Sequence, residues 1–136
     1  MKNLLIAFLI LTMTSLAQNE DTTNCSIYKN GIYHSPIDSI SNIYIRFTGS
    51  DSVFTTSSDI DYDLASKYIV PANHKYLMTG KYLTNERDCL VKIKAKNEYG
   101  KIEMEGIIND HRLILTVVNK SDNTAKDFIF DFYPEN

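Results

Sequence analysis

Residues 89–133 read CLVKIKAKNEYGKIEMEGIINDHRLILTVVNKSDNTAKDFIFDFY, and apolar and polar residues alternate along this stretch. The alternation divides into four segments joined by short polar turns: Cys89–Lys96, Lys101–Ile108, Arg112–Val118 and Ala125–Tyr133. A period of two residues is typical of β-strands that bury one face. Because a slip of one residue would move every core side chain to the surface, the pattern predicts an antiparallel sheet with a fixed register.

The polar turns predict which residues face each other across this sheet. On the solvent side we expect the pairs Lys92–Glu105, Lys94–Glu103 and Lys96–Lys101. On the inner side we expect Val91–Gly106, Ile93–Met104, Ala95–Ile102, Leu113–Phe130 and Leu115–Phe128. All four strands agree on one inner face, and such consistency is typical of a real sheet.

Four more strands are predicted upstream: a short one from Gly31 that Pro36 ends, then Asn42–Thr48, residues 52–57, and residues 75–84. Eight antiparallel strands in up-and-down order favour closure, because closure removes both exposed edges. The predicted fold is therefore an all-β, eight-stranded antiparallel barrel with one short helix. The alternative is a curved open sheet that wraps over this helix.

The helix is predicted over Tyr62–Ile69, where Asp59 and Asp61 supply capping groups at its start. Its apolar stripe is expected to consist of Leu64, Ala65 and Tyr68. The spacing Asp59-x-Asp61-x-Asp63 is also that of a calcium loop. Leu64 and Val70 stand where such a loop needs glycine and glutamate, so capping is the better interpretation.

The first residues predict export. Lys2, the apolar run Leu4–Leu11 and the small-residue site Ser15-Leu16-Ala17 are typical of a signal peptide over residues 1–17. We expect a polar segment over residues 18–30 and one barrel domain over residues 31–136. No later segment approaches the roughly 18 apolar residues of a membrane span. The expected location is the periplasm or the extracellular space.

Two cysteines remain after this cleavage, Cys25 and Cys89. An even number in an exported chain favours a disulfide, which would tie the polar segment to the barrel. The formal net charge of −3 argues against nucleic acid and anionic membranes as partners.

The order of elements resembles the lipocalin-like (calycin) barrels of small exported bacterial proteins. The residues that carry the resemblance are Gly31-Ile32-Tyr33, Tyr44–Phe47, Ser52–Phe54, Gly80-Lys81-Tyr82, Glu98–Lys101, Glu105-Gly106 and Arg112–Leu115. The true lipocalin pattern has G-x-W on its first strand and a late arginine over the tryptophan. This chain has Tyr33 at the aromatic position, no tryptophan, and no arginine after Arg112. The resemblance implies the fold and ligand binding, not lipid transport.

No catalytic constellation stands out, so an enzyme is not expected. His34, His74 and His111 have no metal-ligating partner at a suitable spacing, and neither a metal nor another cofactor is predicted. Cys25 and Cys89 are expected to be bonded to each other, which leaves no cysteine nucleophile.

The remaining candidate site is the barrel interior, which either is filled by side chains or holds one small ligand. Our hypothesis is a small apolar ligand, and the predicted contact residues are Tyr82, Met104, Leu115, Phe128 and Phe130. Gly80 and Gly106 would make room on the same face. The alternative is a solid barrel that acts as an interaction or inhibitor module, with surface tyrosines Tyr44, Tyr62, Tyr76 and Tyr99 that contact a protein. A monomer is expected.

Overall fold

A computed structural model describes residues 25–135, which form a closed antiparallel barrel of eight strands in sequence order. The strands are β1 (Gly31–Pro36), β2 (Asn42–Thr48), β3 (Ser52–Ser58), β4 (Met78–Asn85), β5 (Leu90–Asn97), β6 (Gly100–Asn109), β7 (Arg112–Asn119) and β8 (Thr124–Pro134). β1 pairs with β8, so that Tyr33 lies opposite Phe132. The predicted barrel is confirmed, and no strand edge is left between β1 and β8.

The predicted register of β5 to β8 is confirmed at every pair. Ile93 lies opposite Met104, Lys94 opposite Glu103, and Leu115 opposite Phe128. Lys92 and Glu105 also form an ion pair at 3.7 Å, whereas the carboxylate of Glu103 is 3.5 Å from the amine of Lys120. Alternation and turn length together were therefore sufficient to fix this half of the barrel.

Gly80 and Gly106 have a different role from the one predicted. A Cβ at Gly80 would lie 1.7 Å from the carbonyl oxygen of Lys94, and one at Gly106 would lie 1.9 Å from that of Ile114. Both contacts are with the backbone of a neighbouring strand, which cannot move aside cheaply. The two glycines therefore allow the backbone of the adjacent strand to approach closely.

The connection between β3 and β4 lies on the outside of the barrel. It contains α1 (Tyr62–Tyr68), which the carboxylate of Asp61 caps by accepting the N–H of Leu64 at 3.0 Å, and a 3₁₀ helix over Pro71–Tyr76. The predicted start of β4 at residue 75 is therefore wrong: the chain forms a 3₁₀ turn after Pro71, and the strand begins at Met78.

The buried face of α1 agrees with the predicted stripe only at Ala65. Ala65 and Ile69 are buried, whereas Leu64 and Tyr68 are exposed. The small side chain of Ala65 allows α1 to pack against a second apolar cluster on the outer face of β1 and β2, with Ile32 and Tyr44. Tyr44, predicted on the surface, is thus fully buried and its hydroxyl donates to the carbonyl of Ile60; Tyr62, Tyr76 and Tyr99 are exposed as predicted.

The predicted disulfide between Cys25 and Cys89 is present, with a Cα–Cα distance of 4.9 Å. It joins the start of the described chain to the turn before β5. The predicted signal peptide, residues 1–17, lies outside the described residues. Within residues 25–135 no helix is both long and apolar enough to cross a bilayer.

Candidate functional site

The two ends of the barrel are built differently. The first end carries the β2–β3, β4–β5 and β6–β7 turns together with residues 25–30, and we call it the closed end. The opposite end carries the β1–β2, β5–β6 and β7–β8 loops, and we call it the open end. Any route into the interior depends on how well each end is filled.

Residues 25–30 seal the closed end. The ring of Tyr28 stacks on His111 at 5.2 Å and on Phe132 at 5.1 Å, measured between ring centroids. Its hydroxyl donates to the carboxylate of Asp110 at 2.9 Å, and its backbone N–H donates to the hydroxyl of Tyr33 at 3.0 Å. Ile27 packs against the interior cluster beside it. Aromatic packing and hydrogen bonds thus close this end against solvent.

The interior next to the closed end is packed with side chains. Three of the five predicted contact residues, Tyr82, Leu115 and Phe130, lie in this packed part and are buried. The ring of Tyr82 meets Phe47 edge-on at 4.8 Å between centroids, and its hydroxyl donates to the carbonyl of Gly49 at 3.3 Å. The hydroxyl of Tyr82 is therefore engaged by a turn of the closed end rather than directed to the open one.

The open end contains a recess of about 290 Å³. Its lining is mainly aliphatic and aromatic towards the interior, with hydroxyl, amide and amine groups near the loops: Ile43, Thr55, Thr56, Ser57, Met78, Ile102, Met104, Val117, Asn119, Thr124, Lys126 and Phe128. The volume lies close to the lower limit of the roughly 300–1,000 Å³ that is typical of small-molecule sites. The interior is thus packed next to the closed end and has a recess at the open end.

Two of the predicted contact residues, Met104 and Phe128, belong to the wall of this recess. Met104 is buried and forms part of the floor, while Phe128 is half-buried and exposes part of its ring. The amine of Lys126 lies 5.4 Å from the centroid of the Phe128 ring, within the range of a cation–π contact. The wall therefore combines a polarisable apolar surface with one cation close to the entrance.

Two of the loops at the open end, β1–β2 and β7–β8, are each held by an aspartate. The N–H groups of Ile40 and Ser41 donate to Asp38 at 2.9 and 2.7 Å, and they hold the pKa of its carboxyl below the ordinary value. The hydroxyl and the N–H of Thr124 donate to Asp122 at 2.7 and 3.0 Å, and they lower the pKa of its carboxyl in the same way. Both carboxylates stay ionised at neutral pH and stabilise the loops that frame the recess.

Sequence reasoning did not identify several wall residues as contacts, among them Met78, Ile102 and Val117. A signal for two of them was present: Ile102 and Val117 point inward by alternation and lie one or two residues from the ends of their strands. Nearness to a strand end identifies these two, but not Met104 and Phe128, which line the recess from near the middle of their strands. Met78 points inward with Gly80 and Tyr82 by alternation, but the predicted start of β4 at residue 75 did not place it at the end of the strand.

Two larger depressions lie on the outer surface. One of about 580 Å³ separates α1 from β1 and β8, and its lining includes Asp63, Lys67 and Glu135. The other, of about 700 Å³, lies over the outer face of β4 to β7, among several lysines and glutamates. Several charged side chains line each depression and suit an apolar ligand poorly, whereas Lys126 is the one charged residue among the described residues that line the recess. The recess is therefore the better candidate.

The surface histidine His111 has an acidic neighbour, since its Nε2 lies 3.6 Å from Asp110. Among the described side chains, no three histidines, cysteines or carboxylates lie close enough together to hold a metal ion. Comparison with family models, with curated proteins and with solved structures finds no match to this chain. Any functional conclusion therefore depends on the geometry of the barrel.

Proposed function

We propose that this protein is an exported, non-enzymatic binding protein that holds a small ligand with an apolar body in the recess at the open end. The observation that carries the proposal is the recess of about 290 Å³, with Met104 and Phe128 in its wall. The packed interior beneath it forms a floor, so a ligand enters and leaves by the open end only.

The size and lining of the recess define the ligand class. A volume of about 290 Å³ that is open at the entrance suits a molecule of up to three rings or a short branched chain. Burial of its apolar surface against Ile43, Ile102 and Phe128 would supply most of the affinity, at roughly 25 cal/mol per Å². Polar groups of the ligand would face the hydroxyls and the amine at the entrance, where water remains in contact.

Export and the lipocalin-like relationship are part of this proposal. A disulfide between Cys25 and Cys89 is typical of proteins that fold in an oxidising compartment. The closed antiparallel barrel with one open end is the architecture that the sequence resemblance implies. Lipid transport is not proposed, because the tryptophan and arginine of the true lipocalin pattern are absent from the sequence.

The test is a titration of the mature protein, purified without detergent, with N-phenyl-1-naphthylamine, a neutral probe that fluoresces in apolar surroundings. We expect saturable binding to the wild type. The substitution Val117→Trp puts a large ring into the recess and is expected to weaken binding at least about tenfold, because the ring and the probe compete for the same volume. Native mass spectrometry of the same preparation would show a bound small molecule directly.

The matched control is Val118→Trp, the same change one residue along β7. Val118 points away from the interior, opposite Glu103 and Ala125 on the outer face, so this variant is expected to bind the probe like the wild type. Thermal unfolding of both variants verifies that they are folded. Absence of saturable binding to the wild type, or equal affinities of the two variants, would contradict the proposal.

A further inference from the structure

Four aliphatic side chains form a continuous row across the outer face of β5 to β8. Leu90 lies opposite Ile107, Ile107 opposite Ile114, and Ile114 opposite Ile129. Their exposed fractions are 37%, 43%, 37% and 53% in the order Leu90, Ile107, Ile114 and Ile129. We call these four residues the apolar row. Each is a direct cross-strand neighbour of the next, so the row is one contiguous surface rather than four scattered residues.

On the opposite side of the barrel, a helix covers the apolar residues of the outer face. The outer residues Ile32 and Tyr44 of β1 and β2 are fully buried, because α1 packs over them with Ala65 and Ile69. No described element of the chain packs over the apolar row in the same way. Exposed contiguous apolar surface of this kind, with charges beside it, is typical of an interaction site.

The charges beside the apolar row are arranged so that the face is complementary to itself. The next row of outward-facing residues, towards the open end, begins with Lys92 on β5 and ends with Asp127 on β8. Glu105 on β6 and Thr116 on β7 lie between them. A two-fold axis parallel to the strands, between β6 and β7, exchanges β5 with β8 and β6 with β7. Lys92 of each copy would then face Asp127 of the other.

We propose that two copies of this chain associate face to face through the apolar row about that axis. Leu90 then faces Ile129 of the second copy, and Ile107 faces Ile114. The interface is isologous, as is usual for homodimers, and it contains two equivalent Lys92–Asp127 contacts. A contact centred on four aliphatic side chains is small, so the association is weak, in the micromolar range. This differs from the monomer expected from the sequence.

Another axis is conceivable, running along the row itself, but the charges disfavour it. That rotation would place the row that contains Asp127 against a different row of the second copy. This second row lies on the closed-end side of the apolar row and carries Arg112 on β7 and Asp131 on β8. Asp127 and Asp131, two residues apart on β8, would then face each other between copies. Like charges opposed at an interface cost free energy, so the first axis is the consistent one.

The experiment is sedimentation equilibrium of the wild-type protein from about 1 to about 200 µM, a range that brackets weak dimers. We expect a reversible monomer–dimer equilibrium. Ile114→Lys is expected to raise the dissociation constant at least about tenfold, because it opposes an ammonium to Ile107 of the second copy. The control Leu64→Lys alters an exposed residue of α1, on the opposite side of the barrel from the apolar row, and is expected to change nothing.

A charge exchange tests the orientation. Lys92→Asp places a carboxylate opposite Asp127 of the second copy, and Asp127→Lys places an ammonium opposite Lys92. Each single variant is expected to weaken the dimer about fivefold or more, and the double variant is expected to regain the wild-type constant within about twofold. A wild type that stays monomeric at all concentrations overturns the proposal. So does a dimer that tolerates Ile114→Lys, or a double variant that is not rescued.

Discussion

The side chain of Tyr33 is fully buried inside the closed end of the barrel. Its ring meets Phe47 edge-on at 5.5 Å, and its hydroxyl accepts the N–H of Tyr28 at 3.0 Å. Burial disfavours the tyrosinate, and it raises the pKa of Tyr33 from 10.0 to about 12 despite the opposing effect of the Tyr28 N–H. The ionisation of Tyr33 therefore indicates whether the closed end is folded.

The consequence is a loss of stability at alkaline pH. In the unfolded chain Tyr33 ionises near pH 10, whereas in the folded protein it stays neutral until about pH 12. Its contribution to stability is therefore fully present below pH 10 and is lost between about pH 10 and pH 12, at about 1.4 kcal/mol for each pH unit. Urea unfolding at pH 9, 10 and 11, with phenolate absorbance followed in parallel, measures this loss.

The control is Tyr33→Phe, which removes the titrating group and keeps the ring. Its stability is expected to fall less steeply above pH 10 than that of the wild type. Some slope remains, because burial also raises the pKa of Tyr44. If the two proteins have the same pH dependence, Tyr33 is not the group whose ionisation destabilises the barrel.

At the scale of secondary-structure elements, the short helix α1 depends on a residue of a strand. Seven residues are too few for an independent helix in water. Arg46, on the outer face of β2, is buried and donates to the carbonyls of Ser66 at 2.6 Å and of Ile69, and it forms an ion pair with Glu135. Arg46 thus joins the end of α1 and the end of the described chain to the barrel wall.

Arg46→Met is expected to destabilise the protein by about 2–4 kcal/mol, since it keeps much of the side-chain volume but leaves two carbonyls of the α1 end without donors. The control is Arg112→Met. Arg112 also pairs with a carboxylate, that of Asp131 at 2.8 Å, but both side chains are exposed to solvent. Its loss is expected to cost less than about 1 kcal/mol. Equal losses in urea unfolding would contradict this account of Arg46.

Strands and helices of this chain differed in how far they were predictable from sequence. The register of β5 to β8 follows from a period of two and short turns, and every predicted pair is present. The buried face of α1 was predicted only in part: Ala65 is buried as expected, whereas Leu64 and Tyr68 are exposed and Ile69 is buried. What decided the packing was space: Ile32 and Tyr44 fill the outer wall, and a small residue is needed against them.

The same distinction applies to the candidate site. Alternation shows whether a side chain points inward, and all five predicted contact residues do so. It does not show the height of that side chain along the barrel axis. Height depends on the stagger between strands and on which end the N-terminal residues seal, and these are properties of the whole barrel. Met104 and Phe128 consequently line the recess, whereas Tyr82, Leu115 and Phe130 lie in the packed part.

At the scale of the whole molecule, one end of the barrel provides stability and the other offers space. The closed end holds the disulfide, the stacked rings of Tyr28, His111 and Phe132, and the packed interior. The open end holds the recess and loops stabilised by single side chains, Asp38, Asn97 and Asp122. Because the stabilising contacts and the recess lie at opposite ends of the barrel, we expect substitutions at the closed end to change stability and substitutions at the open end to change ligand affinity.

The double substitution Cys25→Ser and Cys89→Ser tests this separation. The disulfide closes a loop with a sequence separation of 64, and its removal is expected to cost on the order of 4 kcal/mol in urea unfolding, because the unfolded chain regains freedom. Removing both cysteines avoids a free thiol that could form intermolecular bonds. The wild-type reference is verified by alkylation without reductant, where two labelled thiols would show that the bond is absent.

Affinity for N-phenyl-1-naphthylamine is expected to stay within about twofold of the wild type under conditions where this double variant is folded, because the recess lies at the opposite end of the barrel. Val117→Trp is expected to show the reverse: weak binding of the probe with a smaller loss of stability. If removal of the disulfide abolishes probe binding while the barrel remains folded, the two ends are coupled. The closed end would then determine the shape of the recess as well as the stability of the fold.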